Sequence, residues 1–78
     1  MIIIRKFPID TKKVKGHIKT IKFGISDGNI CFWALIDLDS SYEYEVTYNV
    51  LCTGQEINAG IYLDTILQGS VVWHIFRN

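Results

Sequence analysis

The sequence predicts an all-β protein: about six antiparallel strands in a meander, forming a small sandwich or barrel completed by oligomerisation. Three observations predict it. Apolar and polar residues alternate with a period of two over several segments. Tight-turn signals such as Asp27-Gly28 and Gly69-Ser70 separate those segments. No stretch of ten or more residues carries a convincing 3.6-residue period.

In chain order, Ile2 to Phe7 reads as the first strand, ended by Pro8, which has no N–H to give to a ladder. Residues 9–16 are polar and lysine-rich and are expected to form a loop, with a short helix as the alternative. His17 to Ile25 follows as a strand, with Ile21, Phe23 and Ile25 alternating with polar neighbours and Gly24 expected to mark a bulge. Ser26-Asp27-Gly28-Asn29 is a type I′ hairpin signal, because that turn needs positive φ at both central residues. Ile30 to Ile36 is apolar on both faces, Cys31, Trp33 and Leu35 on one and Phe32, Ala34 and Ile36 on the other, so it calls for cover on both sides. After a turn at Asp37 to Ser41, Tyr42 to Val50 reads as one strand, with Tyr42, Tyr44, Val46, Tyr48 and Val50 on its buried face. Cys52 to Gly60 is a break, with a short helix over 55–60 as the alternative. Ile61 to Gln68 and Val71 to Phe76 are the last strands, joined through a type II′ turn at Gly69-Ser70.

The 78 residues make a single β domain over 1–78. A chain of this size buries only about 60% of the surface its unfolded form exposes. Yet it is 49% hydrophobic and 13% aromatic, and its terminal strand is apolar on both faces, Val71/Trp73/Ile75 and Val72/Phe76. The excess points to a subunit interface and hence to a homo-oligomer.

The net charge of zero argues against a DNA or RNA polymer as partner. The charges are uneven: Arg5, Lys6, Lys12, Lys13, Lys15, Lys19 and Lys22 crowd the first third, whereas most of the acids lie after residue 29. That asymmetry fits either a solvated face or an anion-binding end. Arg5-Lys6 interrupts the apolar start after four residues, so no signal peptide is expected. No run approaches the roughly 20 apolar residues of a membrane helix. Cytosolic placement and no membrane partner are the expectation.

Cys31 and Cys52 stand in apolar strand contexts, where a thiol packs as a small hydrophobe. His17, His74, Cys31 and Cys52 lack the close ligand pairs of a structural zinc site, so neither metal nor other cofactor is expected. There is no Gly-rich phosphate loop and no working pair of carboxylates, since Asp37 and Asp39 flank a turn that favours Asp by itself. The protein is not expected to be an enzyme. The candidate binding residues are of four kinds. Trp33 and Trp73 either belong to the core or offer indoles on which a base can stack. His74, among apolar neighbours, is either a satisfied core histidine or a donor projecting from the sheet. Thr53-Gly54-Gln55 reads as a turn whose glycine lets a backbone N–H approach a ligand and whose neighbours carry hydrogen-bonding side chains. Lys6 heads the cations that could meet a phosphate.

Four elements of the chain resemble a family of short proteins encoded mostly by bacteriophages. They are Arg5-Lys6-Phe7-Pro8; Gly28-Asn29-Ile30-Cys31-Phe32-Trp33-Ala34-Leu35; Cys52-Thr53-Gly54-Gln55, where the family has Gly-Thr-Gly-His; and Val72-Trp73-His74-Ile75-Phe76. Cys52 thus stands in place of a glycine and Gln55 in place of a histidine, so a role needing that imidazole does not carry over. In size and style the chain is also similar to phage sponges that evade CBASS immunity by sequestering cyclic nucleotide signals. That resemblance implies an oligomeric protein of the infected bacterial cytoplasm that binds a cyclic di- or trinucleotide without cleaving it. Trp33, Trp73, His74, Thr53, Gly54, Gln55 and Lys6 are then the ligand-binding candidates. The alternative is a small phage module that docks on and inhibits a host protein. A sponge needs a concave site with cations aimed inward, whereas a docking module needs an exposed apolar patch or sheet edge.

Overall fold

Asp27 and Gly28 adopt φ angles of 52° and 78°, the two positive values that a type I′ turn requires. The turn closes directly on the pair Ser26↔Asn29 and so fixes the register of the hairpin as far as Thr20↔Leu35. The computed structural model describes residues 1–57 and 60–78, and among these residues every regular element is a strand. In order they are β1 (Ile2–Pro8), β2 (Lys13–Lys15), β3 (His17–Ser26), β4 (Asn29–Asp37), β5 (Glu43–Glu45), β6 (Tyr48–Cys52), β7 (Ile61–Gln68) and β8 (Val71–Arg77). They form three open antiparallel sheets, none closed into a barrel, within two compact units, Met1–Val46 and Thr47–Asn78.

In the first unit β4 is the central strand of a sheet ordered β1-β4-β3. On its inner face Phe32, Ala34 and Ile36 are wholly buried. Phe7, Phe32 and Phe23 are register partners across the three strands, with Phe7 stacked on Phe32 at 5.1 Å between ring centroids and Phe23 tilted against it at 6.3 Å. An aromatic row of this kind strengthens a sheet beyond simple area burial. The outer face is different. Cys31 is buried there but Trp33 and Leu35 are only half-buried, so the cover expected on both sides of this strand is incomplete. Their flanking partners, Lys6 and Ile4 on β1 and Lys22 and Thr20 on β3, are themselves exposed and leave that face partly open.

Residues 13–15, expected as loop, form β2 and pair with β5. The reason is charge and one buried valine. Lys13 faces Glu45 and Lys15 faces Glu43, Lys13 Nζ reaches Glu43 Oε1 at 3.4 Å, and Val14 between the lysines is 3% exposed. Part of the basic excess of the first third is therefore answered within this ribbon. Tyr42 to Val50, expected as one strand, is split because the chain changes partners. The Val46 N–H donates to Lys12 C=O at 2.7 Å, whereas the Thr47 C=O accepts from Asn78 N–H at 3.3 Å. Tyr42, assigned to a buried face, is 58% exposed. The split and the added ribbon account for eight strands in place of six.

The second unit is a sheet ordered β6-β8-β7. Gly69, with φ 60°, turns the chain between Gln68 and Val71, as a type II′ connection requires. Ile75 on central β8 is fully buried and Ile66 on β7 is 9% exposed. Tyr62 packs edge-on against Phe76, with centroids 5.5 Å apart. The register of β7 shifts between Tyr62 and Asp64. The other bulge lies between Ile18 and Thr20 on β3, and not at Gly24, which keeps regular register with Cys31. Of the segment 55–60, Gln55 to Ile57 is not helical, and residues 58 and 59 lie outside those described. Among the described residues no helix is long and apolar enough to cross a membrane.

Candidate functional site

Counting back from the Asp27-Gly28 turn places Lys22 opposite Trp33, and the pairing of β1 with β4 places Lys6 on Trp33's other side. Cation, indole and cation therefore stand in one row across three strands, on the outer face of the first unit's sheet. Adjacent strands are about 4.8 Å apart, so the two lysine backbones are separated by about 10 Å. Both lysines are exposed, and neither takes part in an ion pair among the described residues. Trp33, half-buried, lines an open groove of about 300 Å³ together with Ile4, Thr20, Lys22, Ala34 and Leu35. A second hollow of about 200 Å³ adjoins the hairpin and is bordered by Lys6, Ser26, Asp27 and Asn29. Lys6 Nζ donates to Ser26 Oγ at 3.0 Å and so stands at its rim.

Gly24 explains how the indole lies. A Cβ built at this position would come within 2.8 Å of Trp33 Cζ3 and 3.5 Å of Cη2. The ring thus rests on bare backbone, in space that any side chain at 24 would claim. Glycine in a strand interior commonly marks such a close approach, and it is this, not a bulge, that the residue provides here. Beneath, Cys31 Sγ lies 3.7 Å from the Gly24 carbonyl oxygen, to which it donates.

The other predicted residues belong to the second unit. Adjacent residues on a strand point to opposite faces, so Trp73 and His74 on β8 are turned away from one another. Trp73 is half-buried, and its Nε1–H donates to Gln68 Oε1 at 3.0 Å. His74 on the other face is held at both ring nitrogens. Nε2 is 2.7 Å from Thr53 Oγ1, Nδ1 is 2.9 Å from Thr65 Oγ1, and the Tyr62 hydroxyl bonds in turn to Thr65 Oγ1. Gly54 turns at φ 92°. The Cys52 N–H donates to Gln55 Oε1 at 2.6 Å and the Gln55 N–H to Cys52 C=O at 3.2 Å, so the glutamine oxygen serves the turn itself. Among the described residues no group of three or more His, Cys, Asp or Glu side chains is placed to hold a metal ion.

The structure thus brings Lys6 to Trp33 within the first unit, and Thr53 to His74 within the second. Lys22, Thr65 and Tyr62 complete these two constellations and were missed from sequence. Two of the three were within reach: the hairpin turns alone pair Lys22 with Trp33 and Thr65 with His74.

A family model described as a domain of unknown function, DUF7352, matches residues 1–78. The chain belongs to this family. None of the curated proteins and none of the solved structures compared with it matches. As a DUF7352 protein it inherits no assigned chemistry, and a functional reading rests on the two constellations themselves.

Proposed function

We propose that this protein is a phage immune-evasion sponge. It takes up a cyclic di- or trinucleotide defence signal in the cytoplasm of an infected bacterium and holds it intact. The observation that carries this reading is the Lys6–Trp33–Lys22 row: a half-exposed indole beside an open groove, with an exposed cation on each side. A cyclic nucleotide presents flat bases flanked by phosphates, which is the complementary pattern. A base stacked on the indole contributes about 1–3 kcal/mol, and each lysine–phosphate contact about 1.5–3 kcal/mol. One stack and two phosphate contacts therefore total about 4–9 kcal/mol before the cost of association, itself about 4–15 kcal/mol, so micromolar binding requires a preorganised site and further contacts to the ligand. The phage setting and the choice of a signalling nucleotide come from the resemblance of the four sequence elements.

Native mass spectrometry of protein purified from infected cells tests the reading. The expected spectrum shows an oligomer carrying nucleotide of uncleaved mass. A nucleotide-free monomer near 9.0 kDa contradicts it. A second reading, docking on a host protein, is favoured by one observation. Ile4, which lines the same groove, is 71% exposed, and its neighbour Ile2 along β1 is 52% exposed, an apolar edge such as a partner strand covers. A host protein that co-purifies stoichiometrically, and is released by Ile4→Asp but not by Lys22→Ala, would favour this reading over the sponge.

A further inference from the structure

The hydroxyl–imidazole chain of the second unit has a composition that ligand stacking does not call for. Four side chains, from two strands and one turn, are strung together in a single line: Thr53 Oγ1, His74 Nε2 and Nδ1, Thr65 Oγ1, Tyr62 OH. A neutral imidazole donates from one nitrogen and accepts at the other. If Thr65 holds the proton on Nδ1, the lone pair of Nε2 is left for the Thr53 hydroxyl, 2.7 Å away. Thr65 can accept that Nδ1–H while its own hydroxyl hydrogen goes to the Tyr62 oxygen, so every member of the chain is satisfied. Thr65 is fixed in place because it is the direct cross-strand partner of His74 on β7. This is the order in which nucleophile, base and orienting group stand wherever a hydroxyl is activated for attack. The residue after Thr53 is Gly54, whose φ of 92° turns the backbone in open space, with nothing within 4 Å of where a Cβ would stand. Its amide is the backbone donor that follows the nucleophile directly, the position from which such amides stabilise an oxyanion.

We propose that Thr53 is an activated nucleophile, with His74 as its general base and Thr65 as the positioning residue, and that it accepts an acyl group from small activated esters. As Thr53 Oγ1 bonds to the ester carbonyl carbon, its proton passes to His74 Nε2 and the carbonyl electron pair moves onto oxygen beside the Gly54 N–H. Collapse breaks the bond to the leaving oxygen, which takes the proton from His74 Nε2. The products are an O-acyl Thr53 and the free alcohol or phenol, so atoms and charge balance with no co-reactant. Thr53 is exposed, which makes the hydroxyl reachable by a small ester. The proposal concerns acyl esters and residues of the second unit alone, and it stands whether or not the nucleotide reading does.

The test is treatment of the full-length protein with p-nitrophenyl acetate, followed by intact mass and peptide mapping. Surface lysines acetylate as background in every variant and serve as the internal reference. The expected result is one acetyl group on Thr53, formed faster than on any lysine and absent in Thr53→Ala. General-base assistance is worth about 10²–10⁴-fold in formed sites; for this open one, acetylation of residue 53 should slow at least ~10-fold in His74→Gln. Thr65→Val should slow it comparably and Thr65→Ser should restore it, a rescue that a purely structural role for Thr65 would not produce in a soundly folded protein. If His74→Gln fails to fold, the Thr65 pair decides. Label confined to lysines and the N-terminus would overturn the proposal, as would a rate at residue 53 that is indifferent to Thr65→Val.

Discussion

Replacing Gly24 with alanine separates the role of Trp33 from that of the rest of the sheet. The added Cβ would stand 2.8 Å from Trp33 Cζ3. Carbon atoms prefer about 3.5–4.0 Å, so the edge of the indole must withdraw by about 1 Å. Inserting a methyl group against a packed ring costs about 1–3 kcal/mol. Alanine recovers about 0.5–1 kcal/mol of the strand-interior penalty that glycine carries. The net destabilisation is then about 0–2.5 kcal/mol, and each kcal/mol lowers the melting temperature of a domain this size by about 4–8 °C. The ring can relieve the clash only by lifting toward the groove it lines, so Trp33 should become more exposed. Trp73→Phe in the same background leaves Trp33 as the single tryptophan and isolates its emission. The expected outcome is a red-shifted emission, stronger quenching by acrylamide and a modest fall in melting temperature. Gly28→Ala is the control. Its φ of 78° makes it strained for alanine, but nothing lies within 4 Å of the new Cβ, so it should lower stability by about 1–2 kcal/mol with Trp33 emission unchanged. Identical Trp33 emission and quenching in the Gly24→Ala protein would refute the placement of the indole on Gly24.

Phe32→Ala removes the centre of the Phe7–Phe32–Phe23 row and should cost about 3–5 kcal/mol. The whole protein holds about 4–12 kcal/mol at the usual stability per residue, so denaturant titration should find at least about a quarter of the total stability lost, and a loss below 1 kcal/mol would contradict the burial of that ring. Cys31→Ser should be mild, about 1–2 kcal/mol, because the hydroxyl inherits an acceptor in the Gly24 carbonyl that the thiol already faces. Combined with Cys52→Ser it should leave nucleotide binding unchanged, and stoichiometric zinc in the wild-type protein by elemental analysis would contradict the metal-free account.

The strands were legible because their signals are local. Asp27-Gly28 and Gly69-Ser70 announce hairpins by the φ angles they permit, and both turns stand where those residues placed them. The β2–β5 ribbon was not legible, because Lys13–Lys15 is too short and too polar to show a pattern by itself; its partner, twenty-eight or more residues on, supplies the acids that make it a strand. The break after Glu45 was hidden for the same reason. Alternation runs straight through Tyr42 to Val50, and only the long-range bonds to Lys12 and Asn78 end one strand and begin another. Gly24 shows the limit of local reading most plainly. A glycine within a strand fits a bulge or a close approach equally well, and the indole that decides between them is brought in by a neighbouring strand. At the site, Thr65↔His74 and Lys22↔Trp33 follow from turns the sequence displays, whereas Lys6↔Trp33 joins β1 to β4 across an intervening ribbon and hairpin, and no local rule yields it.

The most direct test of the nucleotide account is isothermal calorimetry of the purified protein against a panel of cyclic di- and trinucleotides, with each ligand recovered afterwards and analysed by mass. Saturable binding of at least one ligand, returned uncleaved, is expected, with affinity lowered at least about 10-fold by Lys6→Ala or Lys22→Ala, the loss of one charge-assisted contact. If no member of the panel binds at about 100 μM, a free energy near −5.5 kcal/mol, or if a bound ligand is indifferent to both lysines, the Lys6–Trp33–Lys22 row is not a nucleotide site.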